Sequence, residues 1–115
     1  MLKIERLKKS EDILRVIKKN KKCCSNIANL FFLKNNVQSS RYTVVVSKKI
    51  SNNAVVRNKV KRQIKAIIRE LNLIIPNHDI VIIAKQAWLE SDYLNNKKII
   101  RGLFKKAGGN LGNGN

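Results

Sequence analysis

The spacing of apolar residues changes repeatedly along this chain, and each change predicts an element. Over residues 10–19, Ile13, Val16 and Ile17 recur at helical spacing, behind Ser10 as a candidate N-cap and Glu11 and Asp12 in a first turn where acids suit the helix dipole. Residues 27–34 and 42–47 are runs of strand formers separated by the polar, turn-prone residues 35–40, which predicts a hairpin. A second helix is expected over residues 53–73, with Pro76 preventing its continuation. Ile80, Val81, Ile82 and Ile83 are too continuous for a half-exposed strand, so the run 79–85 is expected to be buried on both faces or central in its sheet. A third helix starts near Ser91 and carries Tyr93, Ile100, Leu103, Phe104 and Ala107 along one side, and residues 108–115 form a Gly/Asn tail expected to be disordered. If residues 22–26 add a short strand, the order αβββαβα describes one two-layer α+β domain over residues 1–107.

Charge changes this picture from a fold to a surface. The 115 residues carry a formal charge of +18, and between Asp12 and Glu70 there are fifteen Lys and Arg and no acid. At roughly 100° per residue, Val56, Val60, Ile64, Ile67 and Leu71 share an arc about 80° wide, while Arg57, Asn58, Lys61, Arg62, Lys65 and Arg69 fill a facing arc of about 140°. One side packs and the other is offered to a polyanion. So large a charge also predicts that salt or RNA stabilises the compact state by relieving self-repulsion. Lys, Asn and Ile are abundant throughout, as an AT-rich coding genome produces, so the placement of charge carries more weight than its amount.

Candidate catalytic chemistry is sparse. Hydrolysis of a phosphodiester by a protein's own metals needs converging carboxylates. The seven acids are scattered at Glu5, Glu11, Asp12, Glu70, Asp79, Glu90 and Asp92, and two of them serve a helix start. His78, the single histidine, stands beside Pro76 as an expected exposed turn residue. Cys23 and Cys24 are adjacent, a poor geometry for a disulfide, and are expected to be reduced thiols at a strand start. No acid–base pair or metal-ligand spacing appears, so the chain alone is not expected to catalyse. No run reaches the length of a membrane span and residues 1–10 lack a signal-peptide core, which makes the cytoplasm the expected location.

The order of residues in the basic region resembles the signature of the bacterial ribonuclease P protein component: a Ser-Lys-Lys strand end leads through Ala-Val into Arg-Asn-x-x-Lys-Arg on a helix. The positions are Ser47, Lys48, Lys49, Ala54, Val55, Arg57, Asn58, Lys61 and Arg62, with Lys65 and Arg69 continuing the row. Arg6-Leu7-Lys8-Lys9 before Glu11 and Asp12 is similar to the family's N-terminal motif, and the run 79–85 to its last strand. The resemblance implies a mixed sheet with a left-handed β-α-β crossover, a topology shared with a ribosomal protein domain. Periodicity does not suggest that hand, because crossovers are generally right-handed.

The resemblance also implies a function: a protein subunit that binds the catalytic RNA and the 5′ leader of precursor tRNA, while Mg²⁺ is held mainly by the RNA that cuts the leader away. Lys48, Lys49, Arg57, Asn58, Lys61, Arg62, Lys65 and Arg69 would be the RNA contacts. Arg forks suit phosphate, and Asn58 can both donate to and accept from RNA. The leader cleft would be lined by Ile13, Ile17, Phe31, Ser47 and Lys48. Many family members have Phe at both helix positions, so Ile13 and Ile17 imply weaker base stacking, and simple core packing is the alternative for both. The strand-to-helix loop, Ile50-Ser51-Asn52-Asn53, is one residue longer than in members running Lys-Lys-x-Gly-x-Ala and lacks their glycine, and Ala66 stands where the family often has an acid. A ribosome-associated structural RNA-binding protein is the rival reading. A DNA-binding regulator fits less well, because residues 54–73 lack helix-turn-helix spacing.

Overall fold

The computed structural model describes residues 4–37 and 39–108, apart from the side chains of Ile4 and Glu5. The elements are β1 (Ile4–Arg6), α1 (Ser10–Lys19), β2 (Lys22–Cys24), β3 (Ala28–Lys34), β4 (Ser40–Val45), α2 (Ala54–Glu70), β5 (His78–Ala84), a 3-10 turn (Gln86–Glu90) and α3 (Tyr93–Lys106). The α+β class, the mixed sheet and the three helices are as expected; β1 and the 3-10 turn are additions. The predicted tail lies outside the described residues, save Gly108.

The predicted hairpin does not form. Strand order is β1-β4-β5-β3-β2, so β5 separates the two strands expected to pair with each other. It runs antiparallel to β3 and parallel to β4, and Leu30 and Val44 flank Ile82 in the register. The reason lies in burial: Ile80, Val81 and Ile82 are wholly buried, and only a central position supplies cover on both faces and a hydrogen-bonded neighbour on each side. The parallel neighbours β4 and β5 are joined through α2, the β-α-β crossover of the topology.

Both faces of the sheet are covered, so the layers number three rather than two. Leu30, Val44, Ile80 and Ile82 pack with Val60, Ile64, Ile67 and Ile68 of α2 and Ile100, Leu103 and Phe104 of α3. On the opposite face Phe31 and Val81 meet Val16 of α1 and Leu7, with Ile13, Ile17, Val45 and Ile83 at the margin. Alternation along a strand explains the split, since successive side chains point to opposite faces. α1 lies over β3 and β5, where apolar residues face its side of the sheet.

Helix ends depart from expectation in two places. Ser10 is the first residue of α1 rather than its cap, and Lys9 in the cap position makes no side-chain cap bond. α2 stops at Glu70, six residues before Pro76. Asn72 adopts a left-handed conformation with φ 48°, and Leu73 N–H and Asn72 N–H return to the carbonyls of Ile68 and Arg69. Buried Leu73 and Ile68 complete this Schellman ending, so Asn72 stops the helix and Pro76 merely follows. His78 is likewise not in an exposed turn: it opens β5, half-buried, its ring tilted against Phe32 and its Nδ1 2.8 Å from the Pro76 carbonyl.

Candidate nucleic-acid interface

Between β4 and α2 the chain turns without a glycine. Ser47 accepts twice, its carbonyl from Ile50 N–H at 3.0 Å and its hydroxyl from Lys49 N–H at 3.2 Å, while the Ile50 side chain is buried in the core. Anchoring Ile50 leaves Ser47, Lys48 and Lys49 exposed. Ser51 Oγ accepts from Asn53 N–H, and Asn53 Oδ1 caps α2 by accepting from Val55 N–H at 2.9 Å. Such caps are worth about 1 kcal/mol. Arg57 Nη1 donates to the Ser51 carbonyl at 2.9 Å, so the first cation of the row is fastened to the loop. Serine and asparagine side chains thus shape this turn and start the helix.

Along α2 the sequence-derived division of faces holds, with one addition. Val60, Ile64 and Ile67 are buried as expected, and Ile68 widens the packed side. Asn58, Arg62 and Arg69 are exposed and Arg57, Lys61 and Lys65 are half-buried. Among the described residues none of Lys61, Arg62, Lys65 and Arg69 is ion-paired to an acid. Glu70, the nearest acid in sequence, is engaged elsewhere: Lys97 Nζ donates to it at 2.8 Å, and that bond and charge hold its carboxyl below the usual range. Lys97 is correspondingly pushed up. The row ends in an open groove of about 370 Å³ between α2 and α3, lined by Arg62, Gln63, Lys65, Ala66, Arg69 and Tyr93.

The residues expected to line a leader cleft separate into two groups. Ile13, Ile17 and Phe31 come together on the α1 face of the sheet, the two isoleucines half-buried and Phe31 only 7% exposed. Lys22 Nζ lies 5.4 Å from the centroid of the Phe31 ring, a cation–π contact set by the pairing of Lys22 with Phe31 across β2 and β3. Ser47 and Lys48 stand outside that cluster, beyond the end of β4, whose Val45 belongs to it. Ile13 and Ile17 are therefore packing residues with a solvent-facing side.

Several residues that matter here were not singled out by the sequence reading. Asp79 is buried and takes a two-point bond from Arg41, Nε at 2.8 Å and Nη2 at 2.7 Å, and a third from Asn35 Nδ2 at 2.9 Å. Asp12 of α1 approaches Arg41 at 3.9 Å and also pairs with Arg15, so α1 is tied electrostatically to the sheet. The signal for this network is the β4–β5 register, Arg41 opposite Asp79, which is invisible while the strands are paired wrongly. Trp88 Nε1 donates to Gln63 at 2.9 Å and holds the 3-10 turn to α2. Cys23 and Cys24 are free thiols on β2, and burial pushes the Cys23 thiol up. Among the described residues no three His, Cys, Asp or Glu gather in a metal-binding group, and no helix is long and apolar enough to cross a membrane.

The Ribonuclease P family model matches residues 1–108. The chain belongs to the ribonuclease P protein family. The ribonuclease P protein component of Ureaplasma urealyticum serovar 10 is 34% identical over 104 residues, covering 87% of this chain and 88% of the relative. That of Bacillus velezensis is 36% identical over 107 residues, covering 92% and 91%. Among solved structures, the Staphylococcus aureus RNase P protein superposes with a TM-score of 0.79 at 29% identity, over 91% of this chain and 96% of that one. The Thermotoga maritima RNase P protein gives 0.73 at 26%, over 88% and 96%. As a ribonuclease P protein the chain is an RNA-binding part of an RNA-processing endoribonuclease, and its field is tRNA processing.

Proposed function

We propose that this chain binds the RNA subunit of ribonuclease P and the 5′ leader of precursor tRNA, and so assists removal of the leader to make the mature 5′ end. The observation that carries this reading is the α2 row: Lys61, Arg62, Lys65 and Arg69 lie on one helix face with no acid partner among the described residues, fed by a loop that exposes Lys48 and Lys49. Arg57 is pre-positioned by its bond to Ser51, and Asn58 is exposed beside it. Phosphate neutralisation by such a row releases counterions and gives salt-dependent affinity. The leader is assigned to the α1 side, over Ile13, Ile17 and Phe31, with Ser47 and Lys48 at the end of β4.

Cleavage is assigned to the RNA. Four of the seven acids are committed to other work: Asp79 and Asp12 to Arg41, Glu70 to Lys97, and Asp92 to capping α3 through Asn95 N–H. In this reading Mg²⁺ belongs mainly to the RNA subunit, and the protein supplies charge that brings two RNAs together. The test is to add the purified chain to a bacterial ribonuclease P RNA and follow cleavage of precursor tRNA. Cleavage increases at low Mg²⁺, and the gain shrinks as Mg²⁺ rises and replaces the protein's charge. Metal-dependent cleavage by rigorously RNA-free protein overturns the assignment of catalysis, and an RNA subunit indifferent to the chain overturns the assignment of partner.

A further inference from the structure

The groove at the end of the α2 row has a feature that a phosphate-binding face does not require. It is lined by an aromatic residue, Tyr93 at the start of α3, together with Arg62, Lys65 and Arg69 of α2. We propose that this groove seats one unpaired nucleotide of the RNA that binds α2, its base against the Tyr93 ring and its flanking phosphates on Arg62 and Arg69. The inference rests on the RNA-binding reading of α2 and adds to it a nucleotide site on a second helix.

Three observations favour an unstacked nucleotide over the backbone of a duplex. The ring is held in place: Tyr93 is half-buried and packs against the main core, beside α2 whose last residue, Glu70, is bridged to α3 by Lys97 at 2.8 Å. A pre-oriented aromatic loses little entropy on stacking a base. The Glu70 carboxylate, next in sequence to Arg69, is neutralised by that same lysine, while among the described residues the three groove cations have no acid partner. Finally, the volume of about 370 Å³ is within the range of small-ligand sites and far below what a duplex groove occupies. A duplex keeps its base faces stacked inside and offers an aromatic wall nothing to meet, whereas a single-stranded or bulged nucleotide offers both a face and two phosphates.

The experiment compares two RNAs of equal phosphate number, an adenylate hexamer and an A-form duplex, binding to the full chain and to Tyr93→Leu, Tyr93→Phe and Arg62→Ala. Binding is followed by fluorescence anisotropy, and the Tyr93 ring resonances are followed by NMR. Tyr93→Leu is expected to bind the hexamer about 5- to 150-fold more weakly, the fold-change that about 1–3 kcal/mol of base stacking represents. Duplex affinity stays within about twofold, Tyr93→Phe retains hexamer binding because it keeps the ring, and the wild-type ring signals shift on adding the hexamer. Arg62→Ala weakens both RNAs. Unshifted ring signals, or equal hexamer affinity for wild type and Tyr93→Leu, overturn the nucleotide seat while a weakened Arg62→Ala leaves the α2 reading standing. If Arg62→Ala binds both RNAs like wild type, the α2 reading itself fails and the seat falls with it. Circular dichroism of Tyr93→Leu separates a lost site from a lost fold, and Tyr93→Phe tests the ring independently of that outcome.

Discussion

The two sides of the sheet use charge in opposite ways. On the α1 side, Asp79, Arg41, Asp12 and Arg15 satisfy one another, with Asp79 buried and held by three bonds. On the α2 side, four cations stand on one helix face with no acid to meet them among the described residues. A charge that finds its partner within the chain orders the fold, and one left without a partner costs little in water and is available to another molecule. Glu70, the last residue of α2, is taken up by Lys97 from α3 and so does not blunt the row. Sequence counts of Lys and Arg cannot make this distinction, because Arg41 and Arg62 count alike.

The contrast breaks most sharply at Asp79. Replacing it with Ala leaves a buried gap in front of Arg41 and takes away one of the two acceptors of Asn35 Nδ2, and removing one partner of a buried pair costs about 3–5 kcal/mol. Urea denaturation should show that loss, large enough to unfold much of the protein at low salt, where the net charge of +18 already works against compaction. Added salt or RNA should restore part of the folded population. A variant as stable as wild type would mean the network is ornamental and the two sides do not differ as described.

Next in size is the helix position where packing and binding compete. Ile17 is half-buried against Phe31 and Val81, so a larger ring has solvent into which to extend. Ile17→Phe should tighten binding of precursor tRNA bearing a single-stranded leader by about 1 kcal/mol or somewhat more, with little change for mature tRNA. Phe31→Ala is a poorer probe: at 7% exposure the ring is core, and its loss should cost about 3 kcal/mol of stability before any leader effect is read. A lowered melting temperature for Ile17→Phe with no leader-specific gain would assign the position to the core alone.

What was legible in the sequence follows from the range of the forces involved. The α2 faces could be read because both sides of a helix are local: Val60, Ile64 and Ile67 and the row from Arg57 to Arg69 are fixed by one periodicity. The burial of β5 was legible for a similar reason, as four apolar residues in succession need cover on both faces. Strand neighbours were not. A polar linker between two strand-forming runs argues for pairing, yet β5 enters between them because a strand apolar on both faces gains more from the centre than the hairpin gains from proximity. The Arg41–Asp79 pair, the Lys22 cap on Phe31 and the Glu70–Lys97 bridge all depend on that long-range register or on helix docking, and no local pattern announces them.

On the α2 side the contrast is sharpened by removing one cation. Arg62 is exposed and faces away from the core, so Arg62→Ala should leave circular dichroism and melting unchanged. Its effect should appear in RNA binding, as weaker affinity and a slope of log affinity against log salt reduced by about 0.7–0.9. A change in melting with no change in slope would reverse the assignment of the two faces.

The smallest expected effect belongs to Glu70, where the two kinds of charge meet. Lys97 holds the Glu70 carboxyl below its ordinary value, first through the hydrogen bond and then through charge, so folding is favoured by this pair above the unfolded-state value of 4.5. That contribution is lost as pH falls through the lower folded value; Lys97, pushed above 10.5, shows the mirror behaviour and loses its share as pH rises through its raised value. Both groups lie at the surface, where solvent screens them, so Glu70→Gln should lower stability only slightly at pH 6 and not at all once the carboxyl is protonated in both states. Urea titrations at pH 6 and in the acid limit check this, and a stability difference that persists in the acid limit would point to packing rather than the ion pair. The same substitution removes a negative charge beside Arg69 and frees Lys97 to face the groove. RNA affinity should therefore rise as protein stability falls, opposite signs from one residue, which no purely structural role for Glu70 produces.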